Sequence, residues 1–187
     1  MPKRIDVDRL FETTVTAFAD HGYRATTTRA IAKQAGINEV TVFRRYGGKA
    51  ALINAALTHA LAGSPFARVS VTDDVTADLV ALVRAYAETT RKYGGAVMTL
   101  LTEVPSHPEL REAMAALMPN LLKAARVIAA HQERGQLAPG DPMQKLVTLI
   151  APLMMFGVWA RTGTPPVVPE FDPRALVTGF LDGHRSD

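Results

Sequence analysis

No cysteine occurs in the chain, which removes disulfides, thiolate zinc sites, iron–sulfur clusters and cysteine nucleophiles, and fits an intracellular protein. Long hydrophobic runs are missing too. The most apolar uncharged stretch near the C-terminus, Leu146 to Ala160, is 15 residues, short of the roughly 20 that a spanning helix needs, and it contains Thr148, Pro152 and Gly157. It is expected to be a buried helix, and no membrane is expected among the partners. The opening Met-Pro-Lys-Arg-Ile-Asp-Val-Asp lacks the apolar core of a signal peptide, so a cytoplasmic location is expected. Strand signals are nearly absent, the one β-branched run in polar surroundings being Val69-Ser70-Val71-Thr72.

Chemical motifs are equally sparse. The histidines His21, His59, His107, His131 and His184 are scattered, with no His-Glu-x-x-His and no paired spacing that would hold a metal. No Gly-x-Ser-x-Gly elbow, P-loop or dinucleotide fingerprint occurs, and Gly47-Gly48-Lys49 reads as a turn and helix start. No catalytic residue, metal or cofactor is expected, and an enzyme is not.

What is present is a globular composition, 48% hydrophobic and 21% charged over 187 residues, enough to bury a sizeable core. The net charge is only +3, but it is unevenly placed. Residues 1–60 hold nine Lys/Arg against five Asp/Glu, and 61–187 hold twelve against thirteen. Between Gly22 and Ala60 six bases face one acid, a local excess suited to an anionic polymer.

Helical periodicity dominates. A first helix is expected from Asp6 or Asp8 to His21-Gly22, carrying Leu10, Phe11, Thr14, Val15 and Phe18 on one face. A second runs from Thr26-Thr27-Thr28 to Gly36 with Ile31, Ala32 and Ala35. A short third, capped by Asn38, ends at Gly47-Gly48, and a fourth spans about 49–61. After Gly63-Ser64-Pro65, residues 63–73 read as a loop, followed by helices at about 74–93, 96–104, 108–134, 142–162 and 172–184. Pro119 and Pro152 are expected to kink or divide their helices. The reading is all-α, with a helix-turn-helix domain over 1–50 and a larger helical domain over 51–187.

Two short helices around a tight turn, with bases around the second, make a helix-turn-helix. Small or polar side chains at the start of the second helix, here Asn38, Glu39, Val40 and Thr41, can reach base edges. Val42 and Tyr46, four apart, can anchor its other face, and Phe43, Arg44 and Arg45 flank it.

The segment from Leu10-Phe11-Glu12-Thr13-Thr14 through Thr26-Thr27-Thr28-Arg29-Ala30-Ile31-Ala32 to Phe43-Arg44-Arg45-Tyr46-Gly47-Gly48-Lys49-Ala50-Ala51-Leu52 resembles, without a gap, the DNA-binding part of TetR-family transcriptional repressors. The resemblance implies phosphate contacts from Thr26, Thr27, Thr28, Arg29 and Lys49, and DNA contacts from Asn38, Glu39, Val40, Thr41, Phe43, Arg44, Arg45 and Tyr46. The family pattern usually has Tyr-x-x-Phe where this chain has Phe43-Arg44-Arg45-Tyr46, so the hydroxyl that would meet a phosphate has moved. Thr13-Thr14 stands where the family prefers alanines.

The second part is apolar and methionine-rich, and the stretch 96–137 resembles the regulatory domain of one TetR subgroup. That implies a small apolar or amphipathic effector, with Tyr86, Met98, Leu101, Met114, Leu117, Met118, Leu121, Met155 and Trp159 as candidate walls. Glu103, His107, Asn120 and His131 are candidate orienting groups. The resemblance also implies a homodimer joined by the last two helices, through Leu146, Ile150, Leu153, Met154 and Val158 on one and Leu176, Val177, Phe180 and Leu181 on the other. The expected function is a ligand-responsive repressor on a palindromic operator. An all-α small-molecule or lipid carrier with non-specific DNA affinity, and a TetR-type activator, stay open at this point.

Overall fold

A computed structural model describes residues 6–163, 165 and 171–184. The first five residues, on which the reading of the N-terminus partly rests, lie outside them. Among the described residues there are α-helices and 3-10 turns and no strand: α1 (Val7–Ala25), α2 (Thr28–Ala35), α3 (Glu39–Tyr46), α4 (Lys49–Ala62), α5 (Val75–Glu103), α6 (Arg111–Ala115), α7 (Met118–Glu133), α8 (Pro142–Ala160) and α9 (Pro173–Asp182). The 3-10 turns are Pro65–Arg68 and Pro108–Leu110. The chain forms two compact units, residues 1–63 with 95–118 and residues 64–94 with 119–187.

Side-chain caps set most helix starts. Asp6, Thr27, Asn38, Asp141 and Asp172 each accept an N–H of the following first turn, satisfying donors that the helix cannot pair internally. In the first unit Leu10, Phe18, Ile31, Val42, Leu52, Ile53 and Leu57 are buried, drawn from all four of the first helices. Thr13 and Thr14, set among them, are buried as well. The Thr14 hydroxyl donates to the Leu10 carbonyl at 2.7 Å, so a polar atom enters the core already paired.

Three expectations need correction. The helices read as 74–93 and 96–104 are one helix, α5, running unbroken through Gly94-Gly95. Each glycine costs a helix about 1 kcal/mol, whereas burying one leucine returns about 1.5–3 kcal/mol. Leu79, Leu82 and Val83 before the pair and Ala96 and Leu100 after it are all fully buried. The helix read as 108–134 is instead a 3-10 turn, α6 and α7. Pro119 falls at the second position of α7, where the missing N–H would have had no partner, so it starts a helix and does not kink one. Pro152 does lie inside α8, which continues through it to Ala160.

The second unit packs Leu79, Leu82 and Val83 of α5, Val127 and Ile128 of α7, Leu146, Leu149 and Ile150 of α8, and Val177, Phe180 and Leu181 of α9 into one core with Phe66 and Leu137. Beside it lies a closed polar group. His131, fully buried, places Nε2 at 2.9 Å from the Asp78 carboxylate and Nδ1 at 2.6 Å from Gln136 Oε1. Asp78 also accepts the Thr72 N–H and hydroxyl at 2.6 and 2.7 Å, and Gln136 donates to the Asp73 carbonyl at 2.9 Å. This group ties the segment before α5 to the end of α7. His131 is thereby held by structural partners and is not left to orient an effector.

Burial alone would raise the Asp78 carboxyl, but the bonds from Thr72 and His131 outweigh it and hold it below the ordinary value. A carboxylate held low contributes stability that is complete above its unfolded value, about 3.9, and is lost as pH falls through the lower folded value. The urea midpoint of the wild type is therefore expected to exceed that of Asp78→Asn most at neutral pH, the gap closing as pH falls below about 4. An equal gap at about pH 7 and about pH 3 would contradict the assignment.

Candidate nucleic-acid interface

The α2–α3 turn is made by Gly36, the left-handed cap of α2 (φ 72°, ψ 31°), a conformation that costs glycine nothing. Its N–H and that of Ile37 close back on α2, Ile37 on the Ala32 carbonyl at 2.9 Å. The Thr28 hydroxyl donates to Glu39 Oε1 at 2.9 Å, joining the start of α2 to the start of α3. Val42 is the buried side chain of α3, and Tyr46 meets Phe11 edge-on, ring centroids 5.8 Å apart. With that face used for packing, α3 presents Val40 and Phe43, 62% and 60% exposed, together with exposed Arg44 and Arg45.

Several residues read as DNA contacts are placed otherwise. Thr26 is buried, and its hydroxyl donates to the carbonyls of Gly22 (2.6 Å) and Ala17 (3.1 Å); it ends α1 and does not face a phosphate. Tyr46 is turned inward, its hydroxyl buried without a hydrogen-bond partner among the described residues. Asn38 accepts the Val40 N–H at 2.9 Å, and Glu39 is held by Thr28. Thr27 accepts the Ala30 N–H at 3.1 Å as cap of α2 and stays exposed, as does Arg29, and Thr41 is half-buried. Thr26, Thr27, Thr28, Phe43, Gly48 and Lys49 surround a shallow depression of about 260 Å³, so the starts of α2 and α4 come together beside α3.

Lys49 is not a free cation at that rim. Its Nζ donates to the Tyr23 carbonyl and sits 4.0 Å from the Tyr23 ring centroid. Burial lowers its pKa, against the opposing pull of the Glu103 and Glu109 carboxylates. Glu103, read as an effector-orienting group, instead accepts the Tyr23 N–H at 2.7 Å. The ring of His107 lies 4.8 Å from that of Tyr23, and the Tyr23 hydroxyl is raised by burial and by its bond to Glu109. Tyr23 thus gathers Lys49, Glu103, His107 and Glu109 at the turn between α1 and α2. The sequence offered no spacing signal for this, because Glu103 is 80 residues away.

Gly22 is what lets Glu103 approach. Its backbone (φ 72°, ψ −179°) breaks the helical path of α1, and a Cβ there would lie 2.4 Å from Glu103 Oε1. Gly22→Ala is expected to destabilise the protein by about 1–3 kcal/mol through backbone strain and this clash. In thermal unfolding, Glu103→Ala should cost less in the Gly22→Ala background than in the wild type, since there it also removes the clash. Additive losses would show that the two positions do not share one contact.

The remaining candidates divide between the two units. Met98, Leu101, Met114, Leu117 and Met118 belong to the first and Tyr86, Leu121, Met155 and Trp159 to the second. Tyr86 packs its ring edge-on to Phe66 at 5.1 Å, its hydroxyl bonded to Thr90, and Leu121 packs on the second core. Met118, Met155 and Trp159 are exposed at 45%, 64% and 42%. Of the residues read as dimer contacts, Leu146, Ile150, Leu153, Val177, Phe180 and Leu181 are buried in this chain's own core, while Leu176 is half-buried and Met154 and Val158 are exposed. By length and composition, segments 108–133 and 142–160 are apolar enough to cross a membrane. The first, however, is interrupted by the ends of α6 and α7.

Residues 10–56 match the family described as bacterial regulatory proteins, tetR family, and residues 69–178 match the tetracyclin repressor-like C-terminal domain. An uncharacterised HTH-type transcriptional regulator of Bacillus subtilis, YvkB, is 38% identical over 50 residues, 27% of this chain and 26% of that protein. Among solved structures, a TetR-family regulator from Mesorhizobium loti has a TM-score of 0.73 at 18% identity, covering 96% of each chain. The fatty acid degradation regulator FadR of Bacillus halodurans has a TM-score of 0.73 at 20% identity, covering 97% of this chain and 95% of its own. The second family match alone spans more than half of the sequence, and with the helix-turn-helix geometry it places this chain in the TetR family, as a DNA-binding transcriptional regulator and not an enzyme.

Proposed function

We propose that the chain is a repressor that binds a palindromic operator as a homodimer in the bacterial cytoplasm and is released by a small apolar or amphipathic effector. The observation that carries the reading is the face of α3 left free by the packing of Val42 and Tyr46, where Val40, Phe43, Arg44 and Arg45 stand exposed. Thr27, Thr28 and Arg29, at the start of α2, supply hydroxyls and charge on the phosphate side, where helix N-termini favour anions. The six bases against one acid between Gly22 and Ala60 suit DNA over a neutral partner.

A second copy supplies the symmetry. On α8, Val147, Ala151, Met154, Met155 and Val158 are exposed at the spacing of one helical stripe, and on α9 the small Ala175, Thr178 and Gly179 are exposed. Bulky apolar and small faces of this kind pack across a two-fold axis, which sets two copies of α3 on half-sites about one helical turn or more apart. The effector is assigned to the apolar side chains of the regulatory part, among them Met98, Met114 and Leu117. The fatty acid regulator among the structural neighbours agrees with an amphipathic ligand. Release requires the effector to favour the DNA-incompetent state by about 1–3 kcal/mol.

Selection of bound duplexes from a random library, followed by sequencing, tests this directly. An enriched palindrome is expected, and the absence of any enriched sequence would overturn the reading. On the selected duplex, Phe43→Tyr is expected to bind about fivefold more tightly, the worth of one hydrogen bond of about 1 kcal/mol to a phosphate. Unchanged or weaker binding, measured by fluorescence anisotropy, would place Phe43 away from the backbone.

A further inference from the structure

We infer that Val40 and Arg44 are the base-reading pair of α3, Val40 set against the C5-methyl of a thymine and Arg44 against O6 and N7 of a guanine. Each half-site then carries these two bases adjacent or one base pair apart. The inference rests on the DNA-reading function proposed above and adds which bases are read and by which atoms.

It comes from elimination along an eight-residue helix. Asn38 Oδ1 accepts the Val40 N–H and Glu39 Oε1 the Thr28 hydroxyl, so both side chains are drawn back onto the module to hold the helix. Val42 is buried and Tyr46 turned inward. Phe43 sits on one flank, lining the depression with Thr27 and Lys49. Arg45 is on the other, its guanidinium carbon 5.7 Å from the Tyr46 ring centroid. Thr41 is half-buried and lies four residues before Arg45, on that same flank. Val40 and Arg44 remain, one turn apart on the side away from Val42.

An exposed valine has little to gain from solvent, and Val40 is 62% exposed. In the major groove the thymine methyl is the apolar group a valine can cover, while the other edges present donors and acceptors that it would only desolvate. Arginine pairs two N–H donors with guanine O6 and N7. Four residues of helix advance about 6 Å, one to two steps of a duplex whose bases are about 3.4 Å apart. The excess of bases around the turn supplies the charge complement for the same occupant.

The test begins from the duplex selected by the full chain. If nothing is enriched, the DNA-reading function fails and the inference with it. On an enriched site, each thymine is replaced by deoxyuridine, which lacks the methyl, and each guanine by 7-deazaguanine, which lacks N7. At one thymine per half-site, loss of the methyl is expected to weaken wild-type binding about fourfold, the value of one buried methyl group. Val40→Ala should bind the two duplexes equally. At a guanine one or two steps away, the 7-deaza base should weaken the wild type and leave Arg44→Ala unaffected. Both side chains are exposed, and unchanged thermal melts check that the variants fold. If Val40→Ala keeps the full deoxyuridine penalty, or if Phe43→Ala is the variant that loses it, the assignment is overturned while the DNA-reading function stands.

Discussion

The orientation of α3 is the constraint on which the rest depends, and it is set by very little: one fully buried valine, one inward tyrosine and a left-handed glycine. Val42 and Tyr46 give the helix an inner face, and Gly36 fixes its angle to α2. Everything outward of that line is free for a partner. A helix of eight residues is too short to hold itself in water, so its packing and caps must supply the rigidity that a reading head needs. Asn38 and Glu39 serve this purpose, their oxygens bound to an N–H and a hydroxyl of the module itself.

The same division of labour explains which parts of the molecule were legible in the sequence. The start of α3 at Asn38 was readable because a cap acts within three residues of itself. The continuity of α5 through Gly94-Gly95 was not, because burial on both sides of the pair overrides local propensity. Pro119 misled for a similar reason: its effect depends on where in a helix it falls, which periodicity does not say. In the site, the exposed Phe43, Arg44 and Arg45 followed from the helical spacing around Val42 and Tyr46. Thr26, Lys49 and Glu103 did not, since each is held by a partner that only the fold brings near.

Those three residues change the picture of how the module is built. Threonine, lysine and glutamate in a DNA-binding or regulatory segment invite a reading as ligand contacts, yet each is bonded to the backbone at the end of α1: Thr26 to Gly22 and Ala17, Lys49 and Glu103 to Tyr23. The Lys49 ammonium and Glu103 carboxylate hold the carbonyl and the N–H of one residue, Tyr23, which makes the turn a joint between α1, α4 and the end of α5. Such a joint is held by charge-assisted bonds, which are shorter and stronger than neutral ones. In the second unit the buried Asp78–His131 pair does comparable work, fixing the chain before α5 to the end of α7.

The central claim is that two copies of α3 read one DNA site through the face opposite Val42. A hydroxyl-radical footprint of the full chain on its selected duplex, with the stoichiometry measured by sedimentation, tests it most directly. The account predicts two chains per duplex and two protected half-sites related by a two-fold axis, their protection reduced when Arg44 is replaced by alanine. A single unsymmetric footprint, or protection of the same extent with and without Arg44, would contradict it.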